Sequence, residues 1–309
     1  ILNRISVEAL IPLICISVFV VLIGWGIFSG SRRKLQYLPP KVAIEGHGIK
    51  RGLTAVEAAI LLEEPLDKVM TMILFSAIKK NAAEVISRDP LEIKIEQPIP
   101  EDLYPYEKDF LSAFKESGSN RQKELRDMVL ALVRLVSEKM KGFSRRETIA
   151  YYRDITKRAW AQVEAADTPE VKSQKYEEVM EWTMLDREYD DRTRDIFRNQ
   201  PVFIPVWWGR YDPAVGRSFT PKTSTAPSAG PSVPGSDFAA SVVTGVQTFS
   251  SKVVGNITDF TSKITSVTNP APKYTSSSSS GGSRGGSGCA CACACACAGC
   301  ACACAGGGR

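Results

Sequence analysis

Apolar residues follow several different patterns along this chain. From Ala9 to Ser31 they run almost unbroken and without a charge, beginning ALIPLICISVFVVLIGWGIF. A helix needs about 20 such residues to cross a hydrocarbon core of roughly 30 Å, so residues 9–31 are expected to form a transmembrane helix. Further on, the apolar positions space out. Thr54 and Glu57 make a capping box ahead of AVEAAILLEE, a short helix expected to end near Pro65. Val69, Met70, Ile73, Leu74 and Ile78 then recur at helical spacing over about Asp67 to Asn81, in a segment more apolar than a surface helix needs. VIS, the turn residues Arg88, Asp89 and Pro90, and the alternating Leu91, Ile93 and Ile95 predict a β-hairpin.

Longer helical patterns follow. Pro105 stands at the start of YEKDFLSAFKE and Gly118 at its end. Leu125, Met128, Val129, Leu132, Val136 and Met140 share one face of the segment Arg121 to Lys141, with Gly142 as its C-cap. Ser144 with Glu147, and Thr168 with Pro169, mark two more helix starts, the second opening a long charged segment to about Arg198. After Ser218 the chain is rich in Pro, Ser and Thr. A new stripe then appears: Phe238, Val242, Val246, Phe249, Val253, Ile257, Phe260 and Ile264 keep an 11-residue period opposite a face of Ser, Thr, Gly and Asn. Such poor helix formers need a surface to fold on, and a lipid surface is the expected one.

The fold class expected is mainly α with a small β-hairpin: one transmembrane helix, a winged-helix-like module, a helical bundle and a disordered tail. Residues 1–8 form an N-terminal flank, 9–31 the membrane helix, 32–52 a juxtamembrane connector, 53–96 the winged-helix-like module and 97–199 the helical domain. An aromatic, Pro-rich segment at 200–217, a disordered linker at 218–235, the amphipathic helix at 236–269 and a Cys-Ala tail at 270–309 complete the chain. The first residue is Ile1 rather than Met, which points to the downstream part of a longer protein.

Charge refines the picture in one place. Arg32, Arg33 and Lys34 follow the apolar run while its N-terminal flank offers Arg4 and Glu8, so the C-terminal side is expected in the cytoplasm of a single-pass membrane protein. Elsewhere the net charge of +5 is spread thinly. Helix, helix, hairpin is an order that binds DNA in many soluble proteins, but the would-be recognition helix carries only Lys68, Lys79 and Lys80 as basic residues. No nucleic-acid partner is expected.

The membrane segment, its connector, GLTAVEAAILLEEPLDKVMTMILFSAIKKNAAEVISRDPLEIKI and the later PYEKDFLSAF together resemble the cytoplasmic C-terminal part of the YciQ-like membrane proteins, a family of unknown function. The resemblance covers about Ile5 to Phe114 and departs from the family pattern at Lys80 and Asn81, where a Gly would commonly sit. It implies a membrane location and an extracytoplasmic domain upstream. It implies no reaction.

Candidate chemistry is sparse. His47 is the single histidine and lies in the Gly-bracketed EGHGIK, read as an exposed loop. Asp186, Glu188, Asp190 and Asp191 are balanced by Arg187, Arg192 and Arg194, which reads as a solvated patch. No phosphate-binding loop, dinucleotide fingerprint or zinc-hydrolase signature occurs, so no enzyme is expected. The aromatic run PVFIPVWWGRYDP has three readings, a cap on the helical core, a partner dock or an interfacial anchor, and core capping is preferred. Eight of the nine cysteines stand in the tail: Cys289, Cys291, Cys293, Cys295, Cys297, Cys300, Cys302 and Cys304. Reduced, they offer soft thiolates for Zn or Cu(I), while lipidation or an unliganded tail are the alternatives. The expected function is thus a membrane-anchored, non-enzymatic scaffold working through an unidentified protein partner and the bilayer. The alternative is a metal-binding or redox-responsive protein acting through its tail.

Overall fold

The structure, a computed structural model, describes residues 36–39, 46–88, 91–198 and 253–270, with parts of 201–212 and 232–242. In chain order the elements are α1 (Ala55–Leu61), α2 (Leu66–Lys79), β1 (Ala83–Arg88), β2 (Leu91–Ile95), α3 (Pro105–Ala113), α4 (Gly118–Lys139), α5 (Arg145–Glu164), α6 (Pro169–Thr183), α7 (Tyr189–Phe197), β3 (Pro201–Phe203), α8 (Trp208–Tyr211), β4 (Ser232–Pro234) and α9 (Ile257–Thr268).

The capping box at α1 forms as expected: the Thr54 hydroxyl accepts from the Glu57 amide at 3.1 Å and the Glu57 carboxylate from the Thr54 amide at 3.2 Å. Helix α2 is the centre of the molecule. Val69, Met70, Met72, Ile73, Leu74, Ala77 and Ile78 are all fully buried, because α1, α3, β1, α8 and α9 pack around it. It ends at Asn81, whose φ of 59° lies in the left-handed region and lets the Ala82 amide reach back to the Ala77 carbonyl at 2.9 Å. Asparagine tolerates that conformation better than most side chains, so this position closes the helix without a glycine.

The hairpin pairs β1 and β2 antiparallel, Ala83 opposite Ile95 and Arg88 opposite Leu91, with an irregularity between Val85 and Ser87 that turns Ile86 out to solvent. Leu91 is buried and Glu92 and Lys94 exposed, the alternation expected of one covered face. Helices α4 and α5 add amphipathic layers, each with its apolar stripe inward. Between them Gly142, at φ 79°, opens a turn that receives the chain at Gly46 to Gly48: the His47 amide donates to the Gly142 carbonyl at 3.1 Å and the Ser144 amide to the Gly48 carbonyl at 2.9 Å. Gly46 lies so close that a Cβ there would stand 2.3 Å from the Gly142 carbonyl carbon.

The charged segment expected to be continuous to Arg198 is broken. α6 ends at Thr183, Met184 and Leu185 turn into the core, and the Asp186 carboxylate accepts the Glu188 amide at 3.1 Å before α7 starts. Trp182, Met184 and Leu185 do not fit one stripe of a straight helix, and the bend brings Met184 and Leu185 fully inside. The stripe from Phe238 is interrupted too. Gly255, at φ 73°, and the Asn256 side chain, which accepts from Thr258 and Asp259 at 2.9 and 3.2 Å, start a separate α9. Three residues of the region expected to be a linker form β4, antiparallel to β3. At the end of α9, the Asn269 amide donates to the Gln36 carbonyl at 3.3 Å.

The expectation of a membrane span is corrected as well. Among the described residues no helix is long and apolar enough to cross a membrane. The described residues are mainly helical, with two small antiparallel two-stranded sheets, β1 with β2 and β3 with β4. The transmembrane element of the expected fold class, and with it the single-pass membrane localisation, is not carried forward. The longest helices turn their apolar stripes inward, α4 mainly against α3 and α5 mainly against α6, and carry charge outside, and α2, the most apolar, is covered by its neighbours. Residues 9–31, and the flanking Arg32, Arg33 and Lys34, lie outside the described residues.

Candidate functional site

The aromatic run after Phe197 both closes the core and shapes a cleft. Phe75 of α2 receives Trp207, Trp208 and Tyr211 with ring centroids 5.8, 5.7 and 4.7 Å away, the last edge-on. Such tilted and edge-on contacts are the geometry in which aromatic quadrupoles attract. Trp208 and Tyr211 are buried, and Phe238 joins them 5.1 Å from the Trp208 ring. This is the capping arrangement preferred from the sequence.

What the cap leaves uncovered is a cleft of about 510 Å³ between the end of α2, the outer face of α6 and the segment from Phe203 to Arg210. Its aromatic wall is Phe203, Pro205 and Trp207; its polar rim is Lys79, Asn81 and Arg210 on one side and Glu170, Gln174 and Glu177 on the other. The rim is tied down. The Trp207 indole donates to Glu177 at 3.0 Å, Lys79 donates to the Glu177 carbonyl at 3.3 Å and pairs with Glu181 at 3.6 Å, and the Phe203 amide donates to the Ser173 hydroxyl at 3.1 Å. Arg210 donates to the Asn81 side-chain oxygen, a neutral acceptor, and among the described residues its positive charge has no opposing carboxylate.

The buried groups whose protonation the fold shifts lie elsewhere, in the packed interior. Burial pushes the Tyr176 hydroxyl up to about 12, against hydrogen bonds to Thr193 and Tyr189, and the Tyr176 and Tyr189 hydroxyls are 2.6 Å apart. Burial likewise raises Tyr189, Tyr106 and Tyr37, the last with its hydroxyl donating to the Glu64 carbonyl at 2.7 Å. Asp67 is raised by burial, opposed by the Lys68 amide that it accepts at 2.9 Å. Each of these groups is bonded to a neighbour that positions a helix.

No family model, curated protein or solved structure matches this chain. The resemblance to YciQ-like proteins therefore gains no support.

The residues singled out from the sequence fall into three groups. Cys289, Cys291, Cys293, Cys295, Cys297, Cys300, Cys302 and Cys304 lie outside the described residues, and among the described residues no cluster of His, Cys, Asp and Glu is placed to hold a metal. Of the stripe expected to meet lipid, Phe238, Val242, Val253, Phe260 and Ile264 are buried against the protein's own core and Ile257 packs at its edge, while Val246 and Phe249 lie outside the described residues. The surface is supplied by α4 and α2 for the residues of α9, and by Tyr176, Phe197 and Trp208 for Phe238. His47 is exposed beside the α4–α5 turn, as read. The cleft itself was not foreseen: Asn81 and Arg210 are 129 positions apart, and only the number of aromatic residues in PVFIPVWWGRYDP signalled a special surface.

Proposed function

We propose that the helical body is a non-enzymatic protein-interaction module and that the cleft of Phe203, Pro205, Trp207 and Arg210 is its docking surface. The observation that carries this reading is the pre-formed rim. Trp207, Lys79 and Arg210 are already held by Glu177, Glu181 and Asn81, so a partner meets side chains that lose little freedom on binding. Tryptophan and arginine are also the residues that dominate binding energy at protein interfaces. The occupant fitting this chemistry is a peptide segment with an apolar side chain for Phe203 and Pro205 and a carboxylate for Arg210. That carboxylate would pair with Arg210, which among the described residues bonds to a neutral oxygen.

The test uses a photo-crosslinking amino acid at Gln174, an exposed rim position, in the full chain expressed in its own cells. One protein adduct is expected, lost when Arg210→Glu is added and retained with a crosslinker-matched Arg158→Glu control on the outer face of α5. Adducts that are insensitive to Arg210→Glu, or identical to those from a crosslinker at Ala161, would rule out the cleft as the docking surface.

A further inference from the structure

A second cleft lies where the charged segment bends. It holds about 400 Å³ between α5 and the turn joining α6 to α7. Its floor is apolar and aromatic, from Leu62, Leu185 and Trp160, with the Arg192 guanidinium 5.0 Å above the Trp160 ring. Arg153 and Lys157 stand one helical turn apart on α5 and face the cleft together with Arg187 of the opposite wall. All three are exposed, and none has an ion pair or hydrogen bond from its side chain among the described residues.

The carboxylates of the same cleft are already engaged. Glu64 is buried against Lys68 at 3.0 Å. Asp186 takes Arg192 at 3.3 Å and the Glu188 amide at 3.1 Å. Arg192 also pairs with Glu164 at 2.7 Å, just outside the cleft. Burial acts to lower the Arg192 pKa, but the bonds and charges of Glu164 and Asp186 outweigh it and raise it, so that cation is held for these acids. The field at the mouth is therefore that of Arg153, Lys157 and Arg187, opposed only by the exposed Glu188. Three uncompensated cations converging over an apolar floor make a site for a compact, multiply charged anion with an organic body.

We propose that this cleft binds a phosphate monoester, its phosphoryl group between Arg153, Lys157 and Arg187 and its organic part against Leu62 and Leu185. Guanidinium groups match phosphoryl oxygens in pairs, while Lys157 contributes a mobile point charge. The ester is carried either by a small molecule or by a phosphorylated side chain of a partner protein. This site is separate from the aromatic cleft and stands whether or not that cleft docks a protein.

Calorimetric titration of the full chain with inorganic phosphate, phenyl phosphate and a phosphoserine peptide tests it. Phenyl phosphate or the peptide should bind with a dissociation constant below about 1 mM, and inorganic phosphate more weakly because it leaves the floor uncovered. A peptide tighter than phenyl phosphate identifies a protein-borne ester, and the reverse order a small one. Arg153→Ala with Lys157→Ala should weaken binding roughly tenfold or more, as should Arg187→Ala. Glu188→Gln should tighten it about threefold, since the one opposing carboxylate is removed, a gain that damage to the fold would not produce. No saturable binding of any of the three probes, or dissociation constants unchanged in all of these variants, would overturn the proposal.

Discussion

Raising the pH from about 8 to about 11 should unfold this protein through its tyrosines. Tyr37, Tyr106, Tyr176 and Tyr189 are each at most 5% exposed, and burial raises all four hydroxyls above their ordinary value of 10.0. In the unfolded chain they ionise near 10, while in the folded protein they do not, so above pH 10 the folded state holds more protons. Their contribution is fully present below pH 10 and is lost as the pH climbs toward the folded values, about 12 for Tyr176. One unit above the reference value, each tyrosine that ionises only on unfolding costs about 1.4 kcal/mol, or about 5 to 6 kcal/mol for the set. That is comparable to the whole stability of an ordinary domain, about 5 to 15 kcal/mol. Urea unfolding followed by far-ultraviolet circular dichroism at half-unit steps of pH should show a flat midpoint to about pH 9.5 and a steep fall beyond it. Tyrosinate absorbance should rise in one step with the loss of dichroism. Tyr37→Phe should reduce the slope by about a quarter, at a fixed cost of about 1 kcal/mol for leaving the Glu64 carbonyl without its donor. Native protein that titrates these tyrosines near 10 while keeping its dichroism would refute the reasoning.

Three further outcomes follow from particular contacts. Glu107 is fully buried and accepts from Lys80 at 2.7 Å and from the Tyr104 amide at 2.7 Å, so Lys80→Met should cost about 3 kcal/mol in urea unfolding, and less when combined with Glu107→Gln. Gly46→Ala forces a Cβ against the Gly142 backbone and should cost at least about 1 kcal/mol, read as a lower Tm and as faster proteolysis near His47. Ile264→Ala should destabilise the whole fold by about 2 to 4 kcal/mol in one cooperative transition, because α9 is part of the core; a separate early transition would show instead that α9 is only loosely attached.

Local rules made much of the architecture legible. Thr54 with Glu57, Ser144 with Glu147 and Thr168 with Pro169 start helices where capping chemistry places them, and the hairpin turn falls at Arg88 to Leu91. These signals act over a few residues and are read without tertiary knowledge. The partner of an apolar stripe is a different matter. The Phe238 to Ile264 pattern shows that a surface is needed but carries nothing to distinguish lipid from the protein's own helices, such as α4 and α2 beneath α9, which lie far away in the chain. The break at Met184 was hidden for a similar reason: the charges of α6 and α7 read as one exposed face until the core draws Leu185 inward. Both clefts arise from such long-range closures. One needs Asn81 beside Arg210, the other Arg153 opposite Arg187.

The bond between Asn269 and Gln36 places the two ends of the described helical body side by side, although 233 positions separate them. A helical body whose ends already meet is topologically almost a ring. A short Gly-Ser bridge from residue 269 to residue 36 would close it at little entropic cost, and new ends opened at the exposed stretch near Ile99 would leave the capped helices and the α2 core intact. Such a circular permutant should fold to the same structure.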